Sequence, residues 1–353
     1  MPKKTGVVQD PRYLQHSAGS YHPESPERLA AVYAMLSRPD MAAKFTTIAA
    51  REATHKEIQM VHAPSYVEYI ASTAGQDSVY LDPDTATSPE SYVIAKLAVG
   101  GLLNAIDSVM DRKVDNAFAL VRPPGHHAEY DRAAGFCIFN NVAVGALHAI
   151  DKHNLKKILI VDWDLHHGNG TQHSFEDDPR ILYFSTHQYP YYPGTGSLQE
   201  IGRGKGAGYT INVPLSTGMG DADFVKIFRK ILQPAAMQYK PDFVLLSAGF
   251  DTYFQDPLGG MRVTPKGFAA MTRILLDIAD RCCAGRFVAV LEGGYHVAGL
   301  TNSVKAVLEE MRGDTYCKEE ELAALEAQAG ADNIIKQVTA KISPYWTIEE
   351  RKD

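Results

Sequence analysis

Short apolar runs, several of them rich in Val and Ile, recur at 5–8, 45–48, 117–121, 158–164, 181–185, 208–213, 243–246 and 287–291. Each is bounded by Gly, Pro or polar residues and is short enough to read as a strand. Between them, longer stretches carry apolar positions three and four apart, the helical period. Pro26 opens one of these, with Ser25 as N-cap and Leu29, Val32, Tyr33 and Leu36 on one face. Others run over 62–72, from Ser88-Pro89 to about 110, and over 139–153, 221–239 and 265–283. Strands alternating with helices imply an α/β fold whose sheet is mostly parallel, of about eight strands, with helices on both faces. No internal repeat or low-complexity linker interrupts the pattern, so 1–353 reads as one domain. The stretches 10–26 and 80–88 read as loops, 318–326 as a solvated helix face, and 342–346 as a tail packed back on the domain.

The run at 158–171, ILIVDWDLHHGNGT, passes from a buried strand straight into charge. Side chains alternate faces along a strand, so an extended end puts Asp162, Asp164 and His166 on one face and Trp163 and Leu165 on the other. Open α/β sheets bind ligands at the carboxyl ends of their strands. Unpaired buried charge is very costly there, and a bound cation is the simplest remedy. The plainer alternative is a salt-bridged strand end with a solvated His. It has to satisfy several buried charges within five residues, from 162 to 166, which favours the metal.

Polar clusters follow other strands too: Arg122-Pro-Pro-Gly-His126-His127, Ser247-Ala-Gly-Phe-Asp251 and Glu292-Gly-Gly-Tyr295. Asp164, His166 and Asp251 together offer three donors and leave positions open. That is the catalytic arrangement for Zn²⁺, although Fe²⁺ or Co²⁺ accept the same donors. A hydrolase that activates water at a metal needs a base for its proton and an acid for the leaving amine. His126 and His127 can supply them. Asp162 could hold one as imidazolium, and the neutral Asn169 would leave the other nearer its ordinary pKa. Tyr295 could donate its hydroxyl to a developing oxyanion. Alone, the His pair reads as structural and Tyr295 as core; beside the metal cluster both read as site. Arg122, Arg28 and His22 are weaker candidates, Arg122 as a brace for the His126 loop, and His16 reads as surface.

Composition narrows the partners. Net charge is −7, which argues against a nucleic-acid footprint, and 45% hydrophobic residues suffice for a large core. Four cysteines without CxxC spacing suit reduced thiols. The opening MPKKTGVV lacks an apolar signal core, and no apolar run reads as reaching the roughly 18 residues of a spanning helix. A cytoplasmic protein with no membrane partner is the expectation; a homo-oligomer is left open.

The segments RPPGHHAE, GFCIFNN, VDWDLHHGNGTQ, SAGFD, DPLGG and LEGGY, with the early HPESPER, occur in an order and spacing that resemble the histone deacetylase/acetylpolyamine amidohydrolase family. The Asn169 form of HHGNG is similar to its class II branch. The resemblance implies an arginase-like three-layer α/β/α fold, and one Zn²⁺ held by Asp164, His166 and Asp251. It implies His127 as general base and acid, His126 protonated against Asp162, and Tyr295 polarising the acyl carbonyl. Phe136 and Tyr192 would wall a narrow acyl-lysine tunnel, with Gly135 as floor; the family usually has Phe where Tyr192 stands. K⁺ would lie near the zinc, at Asp162, Asp164, His166, Ser185 and Thr186, with a remoter K⁺ at Phe175, Asp178, Ile181 and Tyr209. Leu258 stands where polyamine-specific members carry Glu, which is similar to lysine deacetylases. Asp82 or Asp84 could still grip a peptide N–H or an ammonium group.

The expected function is therefore zinc-dependent removal of acetyl or another short acyl group from lysine. The alternative is deacetylation of acetylpolyamines or other small acylated amines. A ureohydrolase would need further carboxylates for two Mn²⁺, and His166 stands where one is required. A catalytically silent acyl-lysine binding module would lack a catalytic group, and none is missing here.

Overall fold

The computed structural model describes residues 2–348. Its strands are β1 (Thr5–Val8), β2 (Thr46–Ile48), β3 (Val79–Asp82), β4 (Thr85–Thr87), β5 (Asn116–Ala119), β6 (Ile158–Asp162), β7 (Ile181–Gln188), β8 (Thr210–Leu215), β9 (Phe243–Ala248) and β10 (Phe287–Leu291). Between and after them run α1 (Pro26–Leu36), α2 (His55–Ile58), α3 (Pro64–Ser72), α4 (Ser91–Met110), α5 (Asn141–His153), α6 (Asn169–Phe175), α7 (Asp221–Ile227), α8 (Gln233–Tyr239) and α9 (Pro265–Cys283). The chain closes with α10 (Val297–Arg312), α11 (Glu319–Glu326) and α12 (Asp332–Ile342).

One eight-stranded sheet has the order β2-β1-β5-β10-β9-β6-β7-β8, with each neighbouring pair parallel. Parallel strands are buried on both faces, which is why they read as unbroken Val/Ile/Leu runs rather than alternating ones. Ile158 to Val161 are fully buried, and Trp163 beyond them packs against Phe250 and Phe268. Helices α1, α10, α9 and α7 pack side by side in one layer, and α4 with α5 in another. The order places the late strands β10 and β9 between β5 and β6. The four polar segments that follow these strands, far apart in sequence, thereby become neighbours at one rim.

Several local expectations change. The stretch 80–88 contains the antiparallel β3–β4 hairpin rather than a plain loop. Helix α4 starts at Ser91, after Glu90, not at Pro89. It is also long and apolar enough by composition to cross a membrane, contrary to expectation; 67% of its apolar window is buried in the protein, as befits a core helix. Ser25 sits at the N-cap of α1 but makes no capping hydrogen bond; Pro26 alone presets the first turn. The helix expected over 221–239 is interrupted by a π-helical turn at Phe228–Leu232. Pro234 follows it and has no N–H to return to the preceding turn, so the backbone widens there. The tail does pack back: Trp346 Nε1 donates to the Gly208 carbonyl at 2.6 Å, and its ring meets Tyr209 and Tyr239.

Candidate active site

Strand β6 ends at Asp162, and the chain then turns so that Asp164 and His166 reach the segment after β9. His166 Nδ1 lies 3.2 Å from Asp164 Oδ1 and 3.0 Å from Asp251 Oδ2. All three donor atoms fall within 4.8 Å of one another. Backbone amides aim the carboxylates: Gly293 N–H donates to Asp164 Oδ2 at 2.9 Å, His166 N–H to Asp164 Oδ1 at 2.9 Å, and Leu165 N–H to Asp251 Oδ1 at 2.8 Å. At Gly249 a Cβ would stand 2.0 Å from Asp164 Oδ2, so only glycine permits this approach. Burial, and then the neighbouring Asp164 charge, push the Asp251 carboxyl up to about 7. The cluster holds more buried negative charge than its own imidazole neutralises, and its oxygen–nitrogen donor set is one that divalent zinc, iron or cobalt accepts.

The adjacent histidines stand in opposite environments. His126 Nδ1 lies 3.0 Å from Asp162 Oδ2. Burial opposes its charge, but Asp164 and Asp162 outweigh burial and raise it to about 10, so it stays protonated. His127 Nδ1 lies 2.7 Å from Asn169 Oδ1. Burial, the His126 charge and the His166 charge hold it well below the ordinary histidine range, so it stays neutral. Their ring centroids are 4.0 Å apart.

Aromatic rings pack against these groups. Tyr192 packs edge-on against His127, centroids 5.1 Å apart, and against His166 at 6.0 Å. Phe136 packs edge-on against Tyr295 at 5.8 Å and His22 at 4.5 Å. Gly135 has φ +55°, and a Cβ there would stand 2.3 Å from the His127 ring, so the backbone passes against that ring where only glycine fits. Asp84 Oδ1 accepts from Gly135 N–H at 3.1 Å, which fixes its carboxylate beside the Gly135–Phe136 backbone. Leu258 lies on the turn whose carbonyl accepts from the Tyr191 hydroxyl at 3.0 Å. The Arg28 guanidinium sits 4.8 Å above the Tyr295 ring.

Residues 22–311 match the histone deacetylase domain. The chain belongs to the histone deacetylase family. It is 43% identical over 309 residues to polyamine deacetylase HDAC10 of Homo sapiens, covering 82% of this chain and 45% of that protein. It is 40% identical over 297 residues to a probable deacetylase of Archaeoglobus fulgidus, covering 84% of this chain and 82% of that one. A crystal structure of the HDA15 HD domain superposes with TM-score 0.90 at 39% identity, over 98% of this chain and 95% of that one. The chain spans about half the length of the curated eukaryotic relatives it matches, 45% of the human one.

Within this histone deacetylase fold, several buried groups escaped the sequence reading. Glu24 is fully buried and takes both Arg122 nitrogens at 2.5 and 2.6 Å, with Arg28 at 3.0 Å. Arg122 therefore braces the early loop; it donates to the carbonyls of Tyr13 and His16 as well. Arg28 reaches on to the carbonyls of Glu292 and Gly294, tying that loop to the turn that carries Tyr295. His16, expected at the surface, is buried, with Nδ1 2.7 Å from Ser91 Oγ and Nε2 3.4 Å from a Glu24 oxygen. Glu292 Oε2 accepts from the Gly125 and His126 amides, and Asp256 Oδ2 from those of Tyr295 and His296. Glu292, Asp256 and Glu129 all lie inside the recurring motifs. For Glu292 and Asp256 the signal was a carboxylate beside a glycine-containing turn, where backbone amides are free to be held; Glu129 instead holds the Asn169 and His173 side chains.

Proposed function

We propose that this chain is a zinc-dependent amidohydrolase that removes acetyl or another short acyl group from a primary-amine nitrogen, with the lysine side chain as substrate. The observation that carries the reading is the meeting of the Asp164, His166 and Asp251 donors with a neutral His127 and a charged His126, with the Tyr192, Phe136 and Tyr295 rings packed beside them. A divalent ion held by those three groups supplies Lewis acidity toward the acyl carbonyl and the attacking water. His127, whose Nδ1 faces Asn169, takes the water proton at Nε2 and returns a proton to the departing amine. His126, held against Asp162, keeps its proton and favours negative charge on the acyl oxygen. The Tyr295 hydroxyl donates to that oxygen as it becomes an oxyanion. The C–N bond breaks, leaving a free amine and a carboxylate. The reading extends to K⁺ beside Asp162, Asp164, His166, Ser185 and Thr186, where the Thr186 hydroxyl is buried without a partner. At the remoter set of Phe175, Asp178, Ile181 and Tyr209, the Asp178 carboxylate is already taken by Arg180, which leaves main-chain oxygens for the ion.

A second reading, deacylation of small cationic acylamines, draws support from the Asp84 carboxylate held beside Gly135 and Phe136 and from the human relative's name. The test compares kcat/KM on an acetyl-lysine peptide and on acetylputrescine, before and after chelation. Turnover should vanish with metal removal, return with Zn²⁺, and favour the peptide. Undiminished turnover by metal-free protein defeats the mechanism; preference for acetylputrescine selects the second reading.

A further inference from the structure

Behind His127 a chain of polar contacts runs outward from the site. His127 Nδ1 meets Asn169 Oδ1 at 2.7 Å, and Asn169 Nδ2 meets Glu129 Oε1 at 2.6 Å. The Glu129 carboxylate is in turn bound by His173 Nδ1 at 2.9 and 3.1 Å, with Arg132 3.6 Å away. Its side chain is only 8% exposed, and its own backbone is pinned by Arg132 and His62. The oxygen and nitrogen of an asparagine amide are nearly alike in size, so packing alone does not orient it. A carboxylate orients it, because an ionised carboxylate only accepts; the His127 main-chain carbonyl, 3.4 Å from Asn169 Nδ2, adds a much longer contact of the same sense. The Asn169 NH₂ must face Glu129, so its C=O must face His127. A carbonyl also only accepts, so His127 must carry its hydrogen on Nδ1 and leave the Nε2 lone pair free.

We propose that Glu129 is a positioning residue that fixes the tautomer of His127 through the Asn169 amide. The role rests on His127 being the proton-transfer group. His173 and Arg132 keep Glu129 an acceptor: burial works against its charge, but these neighbours and Asn169 hold its carboxyl below the ordinary glutamate range. The arrangement answers a problem created by asparagine. A carboxylate at position 169 would need no help to select the Nδ1–H tautomer, whereas an amide can turn over and select the other one.

The test reverses the polarity of the pair. In Glu129→Gln the carboxylate becomes an amide that no longer dictates which way Asn169 faces. In Asn169→Asp two carboxylates meet at hydrogen-bond distance. In the double variant the amide now at position 129 donates to the carboxylate now at position 169, which accepts from His127, and the original pattern returns. Each single variant should lose about 10- to 100-fold in kcat, the size typical of outer hydrogen-bond partners, and the double variant should recover most of it. Imidazole ¹⁵N resonances of the metal-loaded full chain, assigned by their loss in His127→Ala, should show Nδ1–H in the wild type and the double variant. In Glu129→Gln they should show mixed or exchanged tautomers. A Glu129→Gln protein with the wild-type tautomer and wild-type kcat overturns the proposal, and so does a double variant no better than its worse parent. Should the wild type hydrolyse no acylamine at all, the proposed function falls, while the nitrogen resonances still decide the role of Glu129.

Discussion

Two clusters of this molecule look alike as lists of donor atoms. Asp164, His166 and Asp251 meet at the rim of the sheet, and Asp107, His148 and His153 meet between α4 and α5; both sets lie within 4.8 Å. They differ in charge. Asp107 Oδ1 takes His148 Nε2 at 2.9 Å and His153 Nε2 at 2.8 Å, while Oδ2 takes the Lys152 ammonium at 2.7 Å. One carboxylate faces one ammonium, and every acceptor is used. The rim cluster instead sets two carboxylates against one imidazole, with Asp162 and Glu292 buried close by and the His126 imidazolium between Asp162 and Asp164; carboxylates still outnumber imidazoles four to two. The α4–α5 cluster is complete as a hydrogen-bonded latch between helices; the rim cluster keeps an excess of carboxylate, and that excess is what the proposed metal would offset. Donor proximity alone does not set the two clusters apart; the balance of buried charge at the carboxyl ends of the strands does.

The largest expected effect puts that contrast to the sharpest test. Asp251→Ala should strip the tightly held metal and lower kcat/KM by roughly 10³-fold or more, as loss of an essential site member does. Asp107→Ala should leave metal content and kcat/KM within about twofold, as for substitutions away from the chemistry. Metal analysis and rates on both variants decide it. If Asp107→Ala loses the metal, the two clusters have been assigned the wrong way round.

Tyr295→Phe sharpens the rim's role without touching the donors. Removing one oxyanion donor costs roughly 10²–10³ in kcat, so the variant should keep its metal and bind substrate but turn over that much more slowly. Full-rate turnover would take the hydroxyl out of the reaction. Because Arg28 and Phe136 pack on the ring rather than on the hydroxyl, the side chain's position should survive the change.

How much of this was legible in the sequence follows from range. The buried parallel strands announce themselves as Val/Ile runs, and motif residues after β5, β6, β9 and β10 announce a site because each strand end carries charge the core cannot absorb. The π-turn at Phe228–Leu232 left only Pro234 as a clue, and the β3–β4 hairpin only a few alternating residues. The Glu24–Arg28–Arg122 cluster was invisible as a unit. Its members are ordinary surface residue types, and only the tertiary fold shows that all are buried and fully paired. Likewise nothing local says that Lys152 neutralises Asp107 from the next helix. Pairings set by long-range packing are what a single sequence withholds.

The smallest effect concerns the latch, and it is a matter of stability. Burial raises the Asp107 carboxyl, but His148, Lys152 and His153 outweigh burial and leave it below its ordinary value of 3.8. A depressed folded value means the unfolded chain takes up the proton first as pH falls. The stabilisation is therefore fully present above about pH 4 and is lost as pH drops through the lower folded value. Asp107 is partly solvated, so the contribution is discounted to about 1 kcal/mol. Asp107→Asn should lower the unfolding free energy read from urea titration by that amount at pH 7, and the gap to the wild type should narrow in more acidic buffer, since a protonated carboxyl resembles the amide. An equal gap at all pH values would mean that shape rather than charge holds the latch. The contrast with the rim would then rest on the excess of negative charge there alone.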